Sequence, residues 1–173
     1  MDNKRESLMK TTASLIAKLS LDLNDSKQMR SYIMRSAMTE DDPNVFGWLF
    51  SNIPEELQGK SGMLSYAESA IYLTLMAYVF SRGKEGKETF VQVMKKEGID
   101  RRHLYQIEYV DSLEEIKRPL LMLLQYVSSK KKEINFVKLA VDLYDFQYDR
   151  MKVIRKWERE YSNCIKGGDS DEK

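Results

Sequence analysis

Basic side chains near the end of the chain are spaced so that a helix would collect them on one face. At about 100° per residue, a helix through positions 135–161 groups Tyr148, Lys152, Arg155, Lys156 and Arg159. The opposite face would be apolar, with Phe136, Leu139, Leu143, Phe146, Ile154, Trp157 and Tyr161. Acidic residues lie beside the basic strip, namely Asp142, Asp145, Asp149 and Glu160. The strip is therefore either a face for a polyanion or an ordinary solvated helix surface.

Arg150 does not fit a single straight helix through this segment, because its side chain would project into the apolar face. Two explanations are open. Either Arg150 is buried with a partner, or the helix is bent or interrupted near Tyr148.

Three other places concentrate positive charge on predicted helices: Arg30 with Arg35, Arg101 with Arg102, and Lys117 with Arg118. A guanidinium group can grip a phosphate at two points, and tyrosines such as Tyr105 or Tyr148 could stack on bases. These residue types therefore favour phosphate binding. The competing interpretation is that each forms an ordinary surface ion pair with acids such as Asp111, Glu114 or Glu115.

Residues for catalysis or metal binding are scarce. His103 is the single histidine and Cys164 the single cysteine, so a catalytic triad, a thiol cluster or a histidine-rich metal site is hard to assemble. The fragment Gly59-Lys60-Ser61 resembles the end of a phosphate-binding loop, but Pro54 stands where that loop needs glycine. The acidic clusters are explained as caps, turns or solvated surface. We therefore predict no enzyme activity, no metal and no cofactor.

The composition predicts an all-α protein. Of 173 residues 42% are hydrophobic, enough for one substantial core, and only eight glycines and three prolines are present. The net charge is +1, so any affinity for nucleic acid must come from local patches. No apolar stretch reaches the roughly 20 residues of a membrane span, and no signal peptide is recognisable. We therefore expect a cytoplasmic protein without membrane contact.

Helical periodicity predicts a compact bundle of about seven to nine helices. The clearest of them cover positions 5–21, 64–80, 89–96, 100–110, 112–127 and 135–161, and a further helix begins with Asp25 or Ser26 as its N-cap. The acidic segment 39–56 contains Pro43, Gly47 and Pro54, which favours a connection with an aromatic anchor.

Gly83 and Gly86 interrupt the pattern after the most apolar helix and divide the chain into two predicted lobes. The N-terminal helical lobe would cover residues 1–85 and the C-terminal helical lobe residues 86–162. Residues 163–173 are predicted to be a disordered tail, since they are polar and end the chain.

The order of several segments is recognisable: AIYLTLMAYVFS is followed by RRHLYQIEYVDSLEEIKRPLLMLL, INFVKLAVDLYDFQ and VIRKWEREY. In this order they resemble the CasB family, the small subunit of the type I-E Cascade complex in CRISPR immunity. Upstream, SYIMRSA is similar to the family's short arginine-bearing helix. The resemblance covers about residues 25–161. It implies an all-helical, non-catalytic protein, present as a pair in a ribonucleoprotein that carries a guide RNA.

The resemblance also implies partners and sites. The partners would be the backbone-forming and large subunits of Cascade, a second copy of the chain, the guide crRNA, and the target and displaced DNA strands. Arg35, Arg102 and Arg118 match the family's arginines in the corresponding helices. The pattern of helix faces adds further candidate nucleic-acid-binding residues: Arg30, Arg101, Lys117, Lys152, Arg155 and Arg159.

We therefore predict a non-catalytic Cascade subunit that stabilises guide RNA, target DNA and the displaced strand of the R-loop through basic helix faces. Near Glu108 and Tyr109 this chain lacks a positive residue that the family tends to have, so strong DNA binding by the isolated chain is not expected. The alternative is a helical protein-protein adaptor that does not bind nucleic acid. Its contacts would be Phe46, Trp48 and Phe50, and the near-zero net charge favours it.

Overall fold

The protein is described by a computed structural model that covers residues 2–163. Within that range it has nine α-helices and two short strands, which confirms the prediction of a compact all-α fold. The helices are α1 (Asn3–Leu19), α2 (Asn24–Met38), α3 (Pro43–Asn52), α4 (Tyr66–Ser81), α5 (Phe90–Lys96), α6 (Arg102–Glu108), α7 (Leu113–Lys130), α8 (Phe136–Phe146) and α9 (Arg150–Asn163). A short 3-10 helix, Glu55–Leu57, follows α3.

Helix α4 forms the centre of the core. A capping box fixes its start, because the Ser65 hydroxyl accepts from the Glu68 N–H while the Glu68 carboxylate accepts from the Ser65 N–H. Nearly every side chain between Ala67 and Val79 is buried, so this helix is apolar all round rather than on one stripe. It packs against α2, α7 and α8. Two of the helices with predicted basic sites, α2 and α7, are thus held on one central element.

The predicted single helix over positions 135–161 is wrong. It is two helices, α8 and α9, separated by a turn that contains Tyr148. Arg150 begins α9, where its Nη1 donates to the carbonyl oxygen of Glu108 at 2.5 Å and its Nε lies 3.4 Å from an Asp111 oxygen. The second explanation is confirmed, because the helix is interrupted; the Arg150 guanidinium also has partners, but its side chain is 30% exposed rather than buried.

The acidic segment 39–56, predicted as a connection, contains helix α3. The Asp42 side chain accepts from the Asn44 N–H as N-cap, and Pro43 occupies the first helical position, where its missing N–H carries no penalty. The prediction failed because these acidic and proline residues begin a helix rather than prevent one. Asp25 or Ser26 was also predicted to be the N-cap of α2, but that helix already starts at Asn24. The Ser26 Oγ instead donates to the Lys18 carbonyl.

Two strands of two residues each, β1 (Lys84–Glu85) and β2 (Glu133–Ile134), pair in parallel, with Lys84 opposite Glu133. They join the segment after α4 to the segment after α7. A Cβ at Gly86 would lie 2.8 Å from the Glu133 Cβ, so only glycine allows this close approach. Isolated pairs this short have no sequence signal of their own.

The two predicted lobes share packing, because α4 from residues 1–85 contacts α7 and α8 from residues 86–162. The lobe boundary itself stays a prediction. At the C-terminus, Asn163 is the last residue of α9, and the rest of the predicted tail lies outside the described residues. Among the described residues, no helix is long and apolar enough to cross a membrane.

Candidate nucleic-acid interface

Lys117 joins the beginning of α7 to the end of α2. Its Nζ donates to the carbonyl oxygen of Ser36 at 3.0 Å, so its side chain is half-buried and its charge points inward at the backbone. The next residue, Arg118, is exposed and forms no ion pair within residues 2–163. Arg35 precedes Ser36 on α2, and its side chain is also exposed. We call Arg35, Lys117 and Arg118 the α2–α7 patch.

Arg35 is only partly neutralised. Its Nη1 donates to Asp42 Oδ2 at 3.1 Å, and its guanidinium lies 5.8 Å from the centre of the Tyr32 ring. The backbone N–H of Asn44 lowers the pKa of Asp42, and Arg35 adds to that effect, so the carboxylate is ionised near neutral pH. The Arg35 side chain is nevertheless 60% exposed, which leaves its remaining donors open to solvent. Those donors are available to a phosphate.

Arg101 and Arg102 lie at the start of α6. Arg101 contacts a Glu158 oxygen on α9, and Arg102 Nη2 lies 3.0 Å from Asp100 Oδ2. The Arg102 side chain is 81% exposed, so its pair with Asp100 is a solvent-screened one. Tyr109, at the far end of the same helix, is 82% exposed and could stack on a base.

Behind Arg101 two carboxyl groups face each other. Glu108 on α6 is only 9% exposed, and its neighbour is Glu158. Burial raises the pKa of Glu108 to about 7, and the hydrogen bond and charge of Glu158 add to the increase, while Arg101 opposes it. Burial and the facing carboxyl of Glu158 therefore favour the protonated form of Glu108 where α6 meets α9.

The exposed cations of α9 lie along a shallow groove beside α5 and α8. Lys152, Arg155 and Arg159 are exposed and line it, but so do the carboxylates of Asp142, Asp145 and Glu160. The groove is thus a mixed-charge surface. This mixture favours the solvated-surface interpretation of the strip more than it favours a polyanion face.

Lys156 lines the same groove and is held by a buried carboxylate. Its Nζ donates to Asp142 Oδ1 at 2.5 Å, and Trp157 Nε1 donates to the other oxygen of Asp142 at 2.8 Å. Burial alone would lower the pKa of Lys156, but the facing carboxylates of Asp142 and Glu160 outweigh burial and raise it. Tyr148 leaves the strip, because it lies in the turn between α8 and α9 and packs edge-on against Tyr66.

Arg30 has a structural role in this chain. Its Nη1 donates to the carbonyl oxygen of Leu21 at 3.1 Å and also contacts that of Leu19. These carbonyls end α1, where a cation compensates both the unpaired oxygens and the helix dipole. Arg30 therefore anchors α2 to α1, and its Nη1 is occupied by backbone carbonyls.

The predicted basic residues form two groups rather than one surface. The first is the α2–α7 patch. The second, which we call the α6–α9 patch, comprises Arg101, Arg102, Lys152, Arg155 and Arg159, joined through the Arg101–Glu158 contact. Sequence reasoning did not select Arg82 and Lys132, two exposed cations in the segments after α4 and α7. Their only signal was their position in turns that carry several basic residues.

The comparisons with known proteins agree with this architecture. The family model described as CRISPR-associated protein Cse2 matches residues 28–161. The chain belongs to the Cse2, or CasB, family. Every predicted nucleic-acid-binding residue lies within the matched range, while α1 lies before it. Membership of the Cse2 family makes the chain a subunit of a Cascade complex, with other Cascade components as its partners.

Solved CasB structures share the fold of this Cse2-family chain. The crystal structure of CasB from Thermobifida fusca matches with a TM-score of 0.68 and 11% sequence identity, covering 91% of this chain and 96% of that one. CasB from Thermus thermophilus matches with a TM-score of 0.63 and 18% identity, covering 87% and 97%. At these identities the likeness shows the fold alone. No curated protein sequence matches the chain.

Metal binding was predicted to be absent. Among residues 2–163, no three His, Cys, Asp or Glu side chains are close enough together to hold a metal ion. The arrangement of the described basic residues instead offers electrostatic contacts, in which guanidinium and ammonium groups compensate phosphate charge.

Proposed function

We propose that this chain is the non-catalytic small subunit of a type I-E Cascade complex. In this role it stabilises the guide RNA, the target DNA and the displaced DNA strand of the R-loop through its basic helix faces. The observation that carries the proposal is the α2–α7 patch. There Arg118 is exposed without an ion pair among the described residues, and Arg35 is exposed and only partly neutralised.

The two patches contribute unequally. In the α6–α9 patch, the groove that holds Lys152, Arg155 and Arg159 is also lined by Asp145 and Glu160, whose partly exposed carboxylates would repel phosphate. In the α2–α7 patch, Asp42 is 4% exposed and already engaged by the Asn44 N–H and by Arg35. The exposed Glu114 lies one turn before Arg118 on α7 but forms no ion pair with it. We therefore assign the main phosphate contacts to Arg35 and Arg118, with Arg102 as a further exposed contact.

The mechanism needs no contact to a base. Pairing between guide and target supplies the sequence information, and exchanging a DNA duplex for an RNA–DNA duplex is nearly balanced in free energy. Cations that hold the displaced strand tip this balance, because they keep that strand from pairing again with the target. Each contact weakens as salt rises, since counterions compete for the same phosphates.

The partners in this proposal are the backbone-forming and large subunits, a second copy of the chain, and the nucleic-acid strands. A net charge of +1 gives the isolated chain little general attraction for DNA. A pair of copies beside other subunits would extend the patch into a longer basic surface. We therefore expect strand binding to be much stronger in the assembled complex than in the isolated chain.

The test is Arg35→Ala with Arg118→Ala, introduced into the full chain and assembled with the other subunits and a guide RNA. The matched control is Lys4→Ala with Lys10→Ala, which removes the same charge from exposed positions on α1, before the matched family range. We expect both complexes to assemble with normal composition. Only the arginine variant should lose R-loop formation, and its deficit relative to the parent complex should be largest at low salt, because salt weakens the contacts that the parent still makes.

Unchanged R-loop formation by the arginine variant at every salt concentration would refute nucleic-acid binding by this patch. That result, with assembly intact, would favour the adaptor without nucleic-acid binding. An adaptor could use Phe50, which is 42% exposed, although Phe46 and Trp48 are half-buried and less available. Substitution of Phe50 by serine would then disrupt assembly instead.

A further inference from the structure

A second basic groove lies between the end of α4, the outer face of α2 and the outer face of α7. Its volume is about 600 Å³. Its floor is partly apolar and its rim is polar or cationic. The lining residues that matter here are Met34, Met38, Arg82, Gln125, Ser128 and Lys132.

The charge of this groove is uniformly positive. No acidic residue lines it, and neither Arg82 nor Lys132 forms an ion pair with any part of the chain that the structure describes. Both side chains are exposed, but both backbones are held in place. The Lys132 carbonyl accepts from the Lys84 N–H at 2.9 Å, and the Arg82 N–H donates to the Val79 carbonyl at 3.2 Å. Two exposed cations on fixed backbone positions form a suitable anion-binding pair.

The backbone of Arg82 adds an independent observation. Arg82 ends α4 with φ of 53°, a left-handed conformation that favours glycine or asparagine at a helix C-terminus. An L side chain is strained in this conformation, because its Cβ comes too close to the following carbonyl oxygen. Arginine is therefore present here against the local preference of the backbone. A residue held in an unfavourable conformation at a surface groove indicates a role for its side chain.

Ser128 is a third observation. It is only 4% exposed, lines the groove, and its Oγ has no hydrogen-bond partner among the described residues. Buried hydroxyl groups almost always have a partner, because an unsatisfied one has given up its bonds to water without replacing them. Ser128 is therefore a polar group in the wall of the groove that no described residue satisfies.

The groove continues the α2–α7 patch. On α7, Arg118, Met122, Gln125 and Ser129 are spaced four, three and four residues apart, so they share one helix face. Met122 is 52% exposed and Met38 is 68% exposed. The surface from Arg118 to Ser129 extends about 16 Å along the helix. Cations therefore occur at both ends of a methionine-rich strip.

From these observations we propose that the groove binds a nucleic-acid segment in single-stranded form. Phosphates would contact Arg82 and Lys132, while unpaired bases or sugars would pack on Met34 and Met38. A duplex fits less well, because its bases are stacked inside and cannot reach an apolar floor. This inference rests on the proposed function, to which it adds a second site and the class of ligand.

Site-specific crosslinking in the assembled complex tests the proposal. Gln125→p-benzoylphenylalanine places a photoreactive group at the groove, Met122→p-benzoylphenylalanine places one near Arg118, and Lys10→p-benzoylphenylalanine is the remote control. The guide RNA, the target strand and the displaced strand are labelled in separate experiments. We expect positions 122 and 125 to crosslink to a labelled strand, and the label identifies whether the source is RNA or DNA. Position 10 should not crosslink to any strand.

The outcomes separate the two proposals. Crosslinks from position 122 alone would overturn the groove and leave the proposed function standing. Crosslinks from neither position, or only to protein subunits, would overturn both.

A charge-removing variant provides the second measurement. Arg82→Asn keeps a residue that tolerates the left-handed conformation, so the melting temperature should be unchanged or higher. In the assembled complex, we expect Arg82→Asn with Lys132→Gln to bind the strand about tenfold more weakly. The slope of the logarithm of the association constant against the logarithm of the salt concentration should become shallower by about 0.7 for each phosphate that is no longer neutralised. Unchanged affinity and slope in this folded variant would overturn the groove, even where position 125 crosslinks.

Discussion

Glu108→Gln gives a quantitative test of the carboxyl pair between α6 and α9. The pKa of Glu108 is about 7 in the folded chain, against 4.5 for an ordinary glutamate. Between these pH values the folded state binds more protons than the unfolded state. The contribution of Glu108 to the free energy of unfolding is therefore fully present below about pH 4.5 and is lost as the pH rises through about 7. The full shift corresponds to about 3 kcal/mol. Because the Glu158 side chain is 20% exposed and water can screen the pair, we expect about 1–2 kcal/mol.

Glutamine cannot ionise, and its amide can donate to Glu158 as a protonated Glu108 would. We therefore expect Glu108→Gln to be about 1–2 kcal/mol more stable than the parent chain at pH 8 and nearly equal to it at pH 5. Urea unfolding followed by tryptophan fluorescence measures both values, since Trp157 is fully buried. The control is Glu97→Gln at an exposed position, which should show no such difference. Parallel stability-against-pH curves for Glu108→Gln and the parent would refute the reasoning.

Three further predictions concern residues that hold the fold around the sites. Asp142→Ala leaves the buried Trp157 N–H without its acceptor, so we expect urea unfolding to show a free energy of unfolding lower by about 2–3 kcal/mol. A decrease under about 0.5 kcal/mol would contradict a stabilising role for the Asp142–Trp157 hydrogen bond. Lys117→Met removes the hydrogen bond to Ser36 and should lower the free energy of unfolding by about 1 kcal/mol. Strand binding by the complex should stay intact, and weakened binding would show that Lys117 contacts the nucleic acid. Gly83→Ala places a Cβ 2.6 Å from the buried Phe136 ring and should lower the free energy of unfolding by about 1–3 kcal/mol, measured by thermal melting. An unchanged melting temperature would mean that the ring moves aside without cost.

Much of the local structure is determined by the sequence. The capping box Ser65–Glu68 and the Ser112 cap depend on residues three positions apart, so they are readable without any tertiary contact. The apolar run of α4 has a composition that suits only a buried helix. Segment 39–56 was misread because Asp42 and Pro43 suit both a loop and a helix start, and only the burial of Val45 and Leu49 against the core decides between them.

The family could also be recognised from the order of its segments, which the match to residues 28–161 confirms. The basic residue types were likewise visible in the sequence. The sequence did not show which of these basic side chains are free to bind a ligand, because each charge is neutralised by whichever partner the fold brings near it.

Neighbouring residues show this limit. Lys117 and Arg118 are adjacent in the chain, yet Lys117 is bound to a carbonyl 81 positions away and Arg118 is exposed. Arg30 is engaged by the end of α1, and Lys156 by a buried aspartate on α8. Arg82 and Lys132 are far apart in sequence and line one groove because α4 and α7 end beside each other, where the segments that follow them pair. Helix type and family follow from short-range patterns in the sequence, whereas the set of free cations depends on long-range contacts that exist only in the folded chain.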